Sequence, residues 1–156
     1  MCELRKHAKV RNMPDKPQLI RNDLLYPELC YQINGALFDV YRQLGGGHDE
    51  KTYQKATAQA FYLKKIIFSE QFYMPIKFND KIVGKYYLDF LVENKIIIEL
   101  KRGKFIPMPI IRQTERYLEA LNLPLALIAC FTYNGVTVKR IINRKLVPKT
   151  QNRITH

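Results

Sequence analysis

The spacing of apolar residues between positions 23 and 143 alternates between two periods, which restricts the chain to folds that combine helices with a sheet. Apolar residues first recur at steps of three and four, as on one face of a helix that begins near Pro27. This face consists of Leu29, Ile33, Ala36, Leu37, Val40, Tyr41 and Leu44. The run Gly45-Gly46-Gly47 ends the helix, because glycine adopts the left-handed conformation that closes helices.

The remaining elements follow from the same two periods. We expect a second helix from His48 or Asp49 to about Lys65, and a third over Pro109–Asn122. Five segments have strand character: about Phe68–Phe78, Ile82–Val92, Ile96–Lys101, Leu125–Thr132 and Val136–Ile142. The sequence therefore predicts an α/β domain (α+β with a mixed sheet) in the order α-α-β-β-β-α-β-β.

The length of 156 residues corresponds to one domain, flanked here by two basic ends. Residues 1–22 contain six basic and two acidic side chains and two prolines, which predicts a mobile basic arm. Residues 144–156 contain four Lys or Arg and no acid, which predicts a basic tail. The folded domain is expected over residues 23–143.

The charge of the chain indicates a polyanionic partner. There are 26 Lys and Arg against 14 Asp and Glu, a formal net charge of +12, and such a field attracts DNA, RNA or ribosomal surfaces. The alternative is a soluble protein that happens to be basic. The longest apolar stretch, Leu123 to Phe131, is about half of a membrane span, and the first twenty residues lack an apolar signal region. We therefore expect a soluble cytoplasmic protein with no membrane partner.

The segment from Tyr86 to Lys101 alternates between apolar and mixed positions, as in a β-hairpin. A three-residue turn at 93–95 pairs Val92 with Ile96 and places Asp89 opposite Glu99. Strict alternation predicts one face with Tyr86, Leu88, Phe90, Val92, Ile96, Ile98 and Leu100, and the other with Tyr87, Asp89, Leu91, Ile97, Glu99 and Lys101. Opposed Cβ atoms lie about 4.5–5.5 Å apart, where two carboxylates repel by roughly 3 kcal/mol at an effective dielectric of about 20.

A divalent cation turns that repulsion into attraction. Carboxylates on adjacent strands suit Mg²⁺ or Mn²⁺, which polarise a substrate phosphate and acidify a bound water. Lys101 lies two residues beyond Glu99 on the same predicted face, where it can hold the water or offset charge in the transition state. We expect its ammonium to stay protonated beside two acids and to orient the water. A salt-bridged hairpin with a solvated face is the alternative.

Three further features accompany the hairpin. Gln113 and Tyr117 share one face of the third helix, where both can donate hydrogen bonds to a phosphate or form an ordinary polar flank. Glu50 opens the second helix, a position that the helix dipole favours for any acid. Arg102 and Lys104 form a basic loop just after Lys101, either as phosphate contacts or as solvated surface.

Together these residues resemble the PD-(D/E)xK nuclease superfamily, and in particular its small GxxExxY proteins. The motif of the latter is matched by Gly47, Glu50 and Tyr53. The hairpin with Asp89 and Glu99-Leu100-Lys101 is also similar to that family, and the resemblance covers roughly residues 23–143. It implies the restriction-endonuclease-like core fold.

The resemblance also implies roles for individual residues. Asp89 and Glu99 would be Mg²⁺ ligands together with the backbone carbonyl of Leu100, and Lys101 would be the catalytic lysine. Glu50 would be an additional acidic residue at the metal.

The resemblance reaches the third helix, and it has two departures. Gln113-x₃-Tyr117 is similar to the motif with which exonuclease-type and RecB-like branches help to place DNA. The family often has a proline where this chain has Gly46, and an acid where it has Gln54. Neither position is a proposed metal ligand.

The sequence therefore predicts a Mg²⁺-dependent nuclease that hydrolyses phosphodiester bonds of DNA, with Mn²⁺ as a substitute cofactor. The alternative is a non-catalytic nucleic-acid-binding protein that retains the nuclease fold. Cleavage of RNA is a weaker third hypothesis. Endo- and exonucleolytic cleavage, sequence specificity, and a monomer or a homodimer are all left open.

Overall fold

Three helices and five strands follow one another in the predicted order in the computed structural model, which describes residues 25–147. The helices are α1 (Pro27–Leu44), α2 (Glu50–Leu63) and α3 (Met108–Leu121). The strands are β1 (Phe68–Phe78), β2 (Lys81–Val92), β3 (Ile96–Arg102), β4 (Leu125–Thr132) and β5 (Gly135–Ile142). The predicted arm over residues 1–22 lies outside the described residues, as do residues 148–156 of the predicted tail, which was expected to begin at residue 144.

The five strands form one mixed sheet in the order β1-β2-β3-β4-β5. Neighbouring strands are antiparallel except β3 and β4, which are parallel and are connected through α3. A parallel pair needs such a crossover, and a helix usually provides it. The prediction of a mixed sheet is confirmed.

Helices cover both faces of the sheet, so that its centre is buried on each side. The apolar stripe of α1 and the inner face of α2 pack on one side, against Phe90, Ile98 and Leu127 among others. The inner face of α3 packs on the other side, against Leu91 and Ile128 among others. We call these two sides the α1/α2 face and the α3 face. β3 and β4 lie at the centre of the sheet and are buried along almost their whole length.

The predicted alternation along β2 is wrong in its first half. Leu88 and Tyr86 pack on the α3 face, whereas Phe90 packs on the α1/α2 face with Val92. The cause is a local irregularity: Gln71 of β1 has a φ of 51°, and the ladder between β1 and β2 skips the pair formed by Gln71 and Asp89. Because a strand alternates with period two, one such irregularity exchanges the faces of all residues beyond it.

The helix bounds agree with the sequence to within two residues. Asp49 caps α2, since its carboxylate accepts a hydrogen bond of 2.7 Å from the backbone N–H of Thr52. α2 ends at Leu63, two residues before the predicted end at Lys65, which has a left-handed φ of 58°. Within residues 25–147, no helix combines the length and the apolar character that a membrane span requires.

The loop between α1 and α2 lies directly against the end of β4. A Cβ atom on Gly46 would lie 2.8 Å from the carbonyl oxygen of Thr132 and 2.9 Å from the Cα of Tyr133. The hydroxyl of Tyr41 donates a hydrogen bond of 2.7 Å to the carbonyl of Tyr133 and holds the same two segments together. Gly46 is therefore required for close backbone approach.

We predict that Gly46→Ala lowers the free energy of unfolding by about 1–3 kcal/mol, because its methyl group would force the loop away from β4. Gly35→Ala is the matched control. Its Cβ would meet only the end of Lys64, at 3.7 Å, and alanine inside a helix gains about 0.5–1 kcal/mol over glycine. Urea unfolding of both variants checks the opposite signs. Equal stability of Gly46→Ala and the wild type would show that the loop does not need this approach.

Candidate active site

Asp89 and Glu99 lie where the β2–β3 ladder ends. The paired positions are Val92 with Ile96, Leu91 with Ile97 and Phe90 with Ile98, as the three-residue turn predicts. The next position in this register joins Asp89 to Glu99, and no ladder pair forms there. The strands therefore pair beside the turn and separate at the two acids.

Each acid bonds to the backbone of the opposite strand in place of the ladder. Oε1 of Glu99 accepts a hydrogen bond of 3.2 Å from the backbone N–H of Asp89. Oδ2 of Asp89 accepts one of 2.8 Å from the backbone N–H of Leu100. Both carboxylates are thus inserted between the strands and held close together. Their separation is fixed by backbone, which is stiffer than any side-chain contact.

Burial and proximity disfavour the charged form of both acids. Glu99 is 1% exposed, and burial together with the negative charge of Asp89 raises its pKa to about 8. Burial also raises the pKa of Asp89, although the hydrogen bond from Leu100 and the charge of Lys101 oppose the rise. Without a cation, the close placement of the two acids is electrostatically unfavourable.

A layer of tyrosines supports Glu99 from the α3 face. The hydroxyl of Tyr86 donates a hydrogen bond of 3.2 Å to Oε2 of Glu99. The ring of Tyr117 stacks on that of Tyr86, with centroids 4.5 Å apart and planes 27° apart. Burial raises the pKa of both phenols, and the charge of Glu99 raises them further. Glu99 is therefore fixed by both of its oxygens.

Lys101 and Glu50 complete the cluster. Nζ of Lys101 lies 3.9 Å from Oε2 of Glu50, which the first turn of α2 directs toward the end of β3. The charge of Lys101 acts on both Asp89 and Glu99, and that of Glu50 acts on Asp89. All four predicted charged residues are thus brought to one place, from α2, β2 and β3.

The glycine-glutamate-tyrosine motif forms the support beneath Glu50. Gly47 has a φ of 90°, a conformation that favours glycine. The hydroxyl of Tyr53 donates a hydrogen bond of 2.7 Å to the carbonyl of Gly45, and its ring stacks on Phe131 with centroids 4.0 Å apart. The motif therefore anchors the start of α2 to β4 and sets the position of Glu50.

The remaining predicted residues lie around this cluster. Tyr117 is buried at 6% exposure, and Gln113, one turn earlier in α3, lowers the pKa of its hydroxyl against the larger effect of burial. Arg102 is exposed and donates a hydrogen bond of 3.2 Å to the carbonyl of His48, beside a cavity of about 380 Å³. Lys104 is exposed in the loop after β3. The structure thus places Tyr117 beneath the acids and the two basic residues at the surface.

Two residues at the site were missed by sequence reasoning. The side chain of Gln71 lies across the irregular β1–β2 position from Asp89, where it lowers the pKa of that carboxyl and so favours its charged form. The alternation of the hairpin assigns Tyr86 only to one face of the strand, whereas its hydroxyl bonds to Glu99 and orients that carboxylate. Gln71 directly follows Ser69 and Glu70 in β1, so no feature of the sequence distinguishes it from an ordinary polar strand residue.

The donor set fits a hard divalent cation. Within the described part of the chain, no three acidic, histidine or cysteine side chains stand together as a metal-ligating group. The half-buried Asp89 and the buried Glu99 nevertheless supply oxygen ligands only, and an ionised carboxylate has about four acceptor sites, more than the hydrogen bonds given above occupy. Burial raises the pKa of both acids, and the charge of Asp89 raises that of Glu99 further, so a bound cation would favour the ionised form of both.

The fold and the site together define a domain in which two acids and a lysine meet at a splayed strand pair of a helix-covered mixed sheet. The sequence model of the PD-(D/E)XK nuclease superfamily matches residues 27–144. The chain therefore belongs to this superfamily, and the predicted restriction-endonuclease-like fold is confirmed.

Solved structures and curated proteins add no further assignment to this family membership. A solved structure entitled "Crystal structure of SSO0001" is similar to this chain, with a TM-score of 0.47 and 15% sequence identity. The similarity covers 81% of this chain and 61% of that one, so this chain spans less than two thirds of its length. A comparison with curated proteins gave no match.

We predict that the metal-free protein loses stability as the pH rises. Folded Glu99 has a pKa of about 8 against an ordinary value of 4.5, so between these values the folded chain holds a proton that the unfolded chain has released. The free energy of unfolding therefore decreases with pH across this range. Glu99→Gln removes the ionisation and should flatten the dependence.

The measurement is urea unfolding in EDTA at several pH values between 5 and 8. Glu119→Gln is the matched control, because Glu119 pairs with Lys145 at the surface. The free energy of unfolding of this variant should change with pH as steeply as that of the wild type. The same slope in Glu99→Gln as in the wild type would contradict the buried acid pair.

Proposed function

We propose that this chain is a Mg²⁺-dependent nuclease that cleaves DNA, with Asp89 and Glu99 as metal ligands. The observation that carries the proposal is the pair of carboxylates that replace the ladder between β2 and β3. Two acids on neighbouring strands, one buried and one half-buried, destabilise a sheet, and a divalent cation removes that cost. The membership of the superfamily supports nuclease chemistry, and the +12 charge supports a nucleic-acid substrate.

We assign the following roles to the chain's own residues. Asp89 and Glu99 would hold the cation together with the carbonyl of Leu100, and Glu50 would be a further ligand. When bound, Mg²⁺ would polarise the scissile phosphate and lower the pKa of a water molecule. The backbone hydrogen bonds to both carboxylates keep them in place before substrate arrives, so that little reorganisation is needed.

Lys101 would orient the attacking water and offset the charge that develops on the phosphate. Its ammonium is a donor and lies next to Glu50, at the end of the strand that carries Glu99. A neighbouring acid fixes the position of a flexible lysine. This pairing supports an orienting role over that of a free-amine base.

The surrounding residues would bind the substrate or support the acids. Arg102 and Lys104 are exposed beyond Lys101, as phosphate contacts require. Tyr117 and Gln113 would act through Tyr86, which bonds to Glu99. We also propose membership of the GxxExxY branch, on the basis of the anchoring contacts of Gly47 and Tyr53.

We predict cleavage of DNA with Mg²⁺ or Mn²⁺ and none with EDTA. Linear, nicked, single-stranded and circular DNA should be tested, since the form of the substrate is open. Asp89→Ala, Glu99→Gln and Lys101→Ala should each lower the rate by roughly 10²- to 10³-fold or more, as when other preorganised charges are removed from active sites. Lys145→Ala is the control, because Lys145 bonds to Glu119 away from the acids.

Two outcomes would contradict the nuclease function. One is the absence of metal-dependent cleavage of every DNA and RNA form tested. The other is a rate that Asp89→Ala and Lys101→Ala leave unchanged. Either would favour a non-catalytic nucleic-acid-binding protein, whose binding should depend steeply on salt and be indifferent to Mg²⁺ and to Glu99→Gln.

A further inference from the structure

On the α1/α2 face, the hairpin of β1 and β2 extends past the helices that cover the rest of the sheet. We call residues 72–88 the distal hairpin. On its α3 face, Phe72, Met74 and Tyr86 pack toward the core. On the opposite face, the paired residues Tyr73 and Tyr87 remain 47% and 42% exposed. Their ring centroids are 5.8 Å apart, so the two rings form a continuous aromatic surface.

This aromatic surface lies next to the proposed metal ligands. Tyr87 precedes Asp89 by two residues, which is about 7 Å along a strand. Two contacts join α2 to the start of β1: the ring of Phe61 packs on that of Phe68 with centroids 5.5 Å apart, and the side chain of Gln54 donates a hydrogen bond of 3.3 Å to Glu70. The surface beyond Asp89 is therefore open to a ligand that also occupies the active site.

The distal hairpin is basic as well as aromatic. It carries Lys77, Lys81 and Lys85 against a single acid, Asp80. The ammonium of Lys85 lies 5.8 Å from the centre of the Tyr87 ring. Within residues 25–147 none of the three lysines forms an ion pair with a carboxylate. Exposed aromatic rings among unpaired lysines are the combination that binds unpaired bases and their phosphates.

We propose, on the basis of the nuclease function above, that the distal hairpin binds a single-stranded nucleic acid segment that leads into the active site. One or more unpaired bases stack on Tyr73 and Tyr87, and backbone phosphates contact Lys77 and Lys85. A duplex does not offer base faces to such a surface, because its bases are stacked on each other. A second copy of the chain is disfavoured, since it would bring two sets of unpaired lysines together.

The test measures binding without cleavage, by fluorescence anisotropy in EDTA with a labelled 20-nucleotide oligothymidylate. The double variant Tyr73→Ala/Tyr87→Ala should bind about 5- to 100-fold more weakly for each base that stacks. The double variant with phenylalanine at both positions keeps the rings and should restore binding. Tyr31→Ala/Tyr62→Ala is the matched control, because these tyrosines of α1 and α2 are also exposed. It should bind like the wild type.

The lysines are tested through the salt dependence of the same binding. Lys77→Gln/Lys85→Gln should reduce the slope of log K against log salt by roughly 0.7 for each lysine that contacts a phosphate. Lys55→Gln/Lys145→Gln is the control and should leave the slope unchanged. Oligouridylate is a parallel probe. If it binds more tightly than oligothymidylate, the bound strand is RNA; if it binds more weakly, the bound strand is DNA. Either result supports the hairpin site when the binding requires the two tyrosines.

Three results would overturn the proposal. The first is that Tyr73→Ala/Tyr87→Ala binds the oligothymidylate as tightly as the wild type. The second is that the protein binds a blunt 20-base-pair duplex more tightly than the single strand, both with and without this double change. The third is a dimer in sedimentation velocity that the same double change dissociates. Failure of the nuclease function is seen separately. If binding requires the two tyrosines but no nucleic acid is cleaved, the hairpin site is supported and the nuclease function is not. If nucleic acid is cleaved but binding does not require the tyrosines, the nuclease function is supported and the hairpin site is not.

Discussion

The exchange of hydrogen bonds between Asp89 and Glu99 and the opposite strands is the interaction on which the rest of the site depends. An ordinary antiparallel pair would use these backbone groups for the ladder, and the two side chains would stay mobile. Here the carboxylates take the place of ladder acceptors, so their spacing is set by strand geometry. The splay between β2 and β3 is therefore the structural origin of the proposed metal site.

This arrangement places an unfavourable electrostatic interaction, that between the two acids, inside a well-packed protein. Glu99 is buried above Tyr86 and Asp89 is half-buried beside it, and burial raises the pKa of both acids. Lys101 brings a positive charge and Glu50 a negative charge to the edge of the pair formed by Asp89 and Glu99, and together they do not remove the electrostatic cost of that pair. Such strained electrostatics are typical of functional sites, where a cation or a substrate supplies the missing charge.

Local pattern determined most of the fold, and contacts distant in sequence determined what was missed. The three-residue turn at 93–95 was enough to fix the register of the hairpin, because strand pairing propagates from a turn. The irregularity at Gln71 and Asp89 could not be predicted, since it depends on a left-handed residue in another strand. The need for Gly46 arises only when β4 folds against it. The burial of Tyr117 likewise depends on stacking with Tyr86.

The most direct measurement of the central claim is anomalous diffraction from a crystal soaked in Mn²⁺. The account predicts one strong peak within coordination distance of carboxylate oxygens of both Asp89 and Glu99, and its loss in Glu99→Gln crystals. A Mn²⁺ peak that contacts neither acid would contradict the account. A fully soaked crystal in which the two carboxylates bind no metal and keep only their hydrogen bonds to protein groups would contradict it as well.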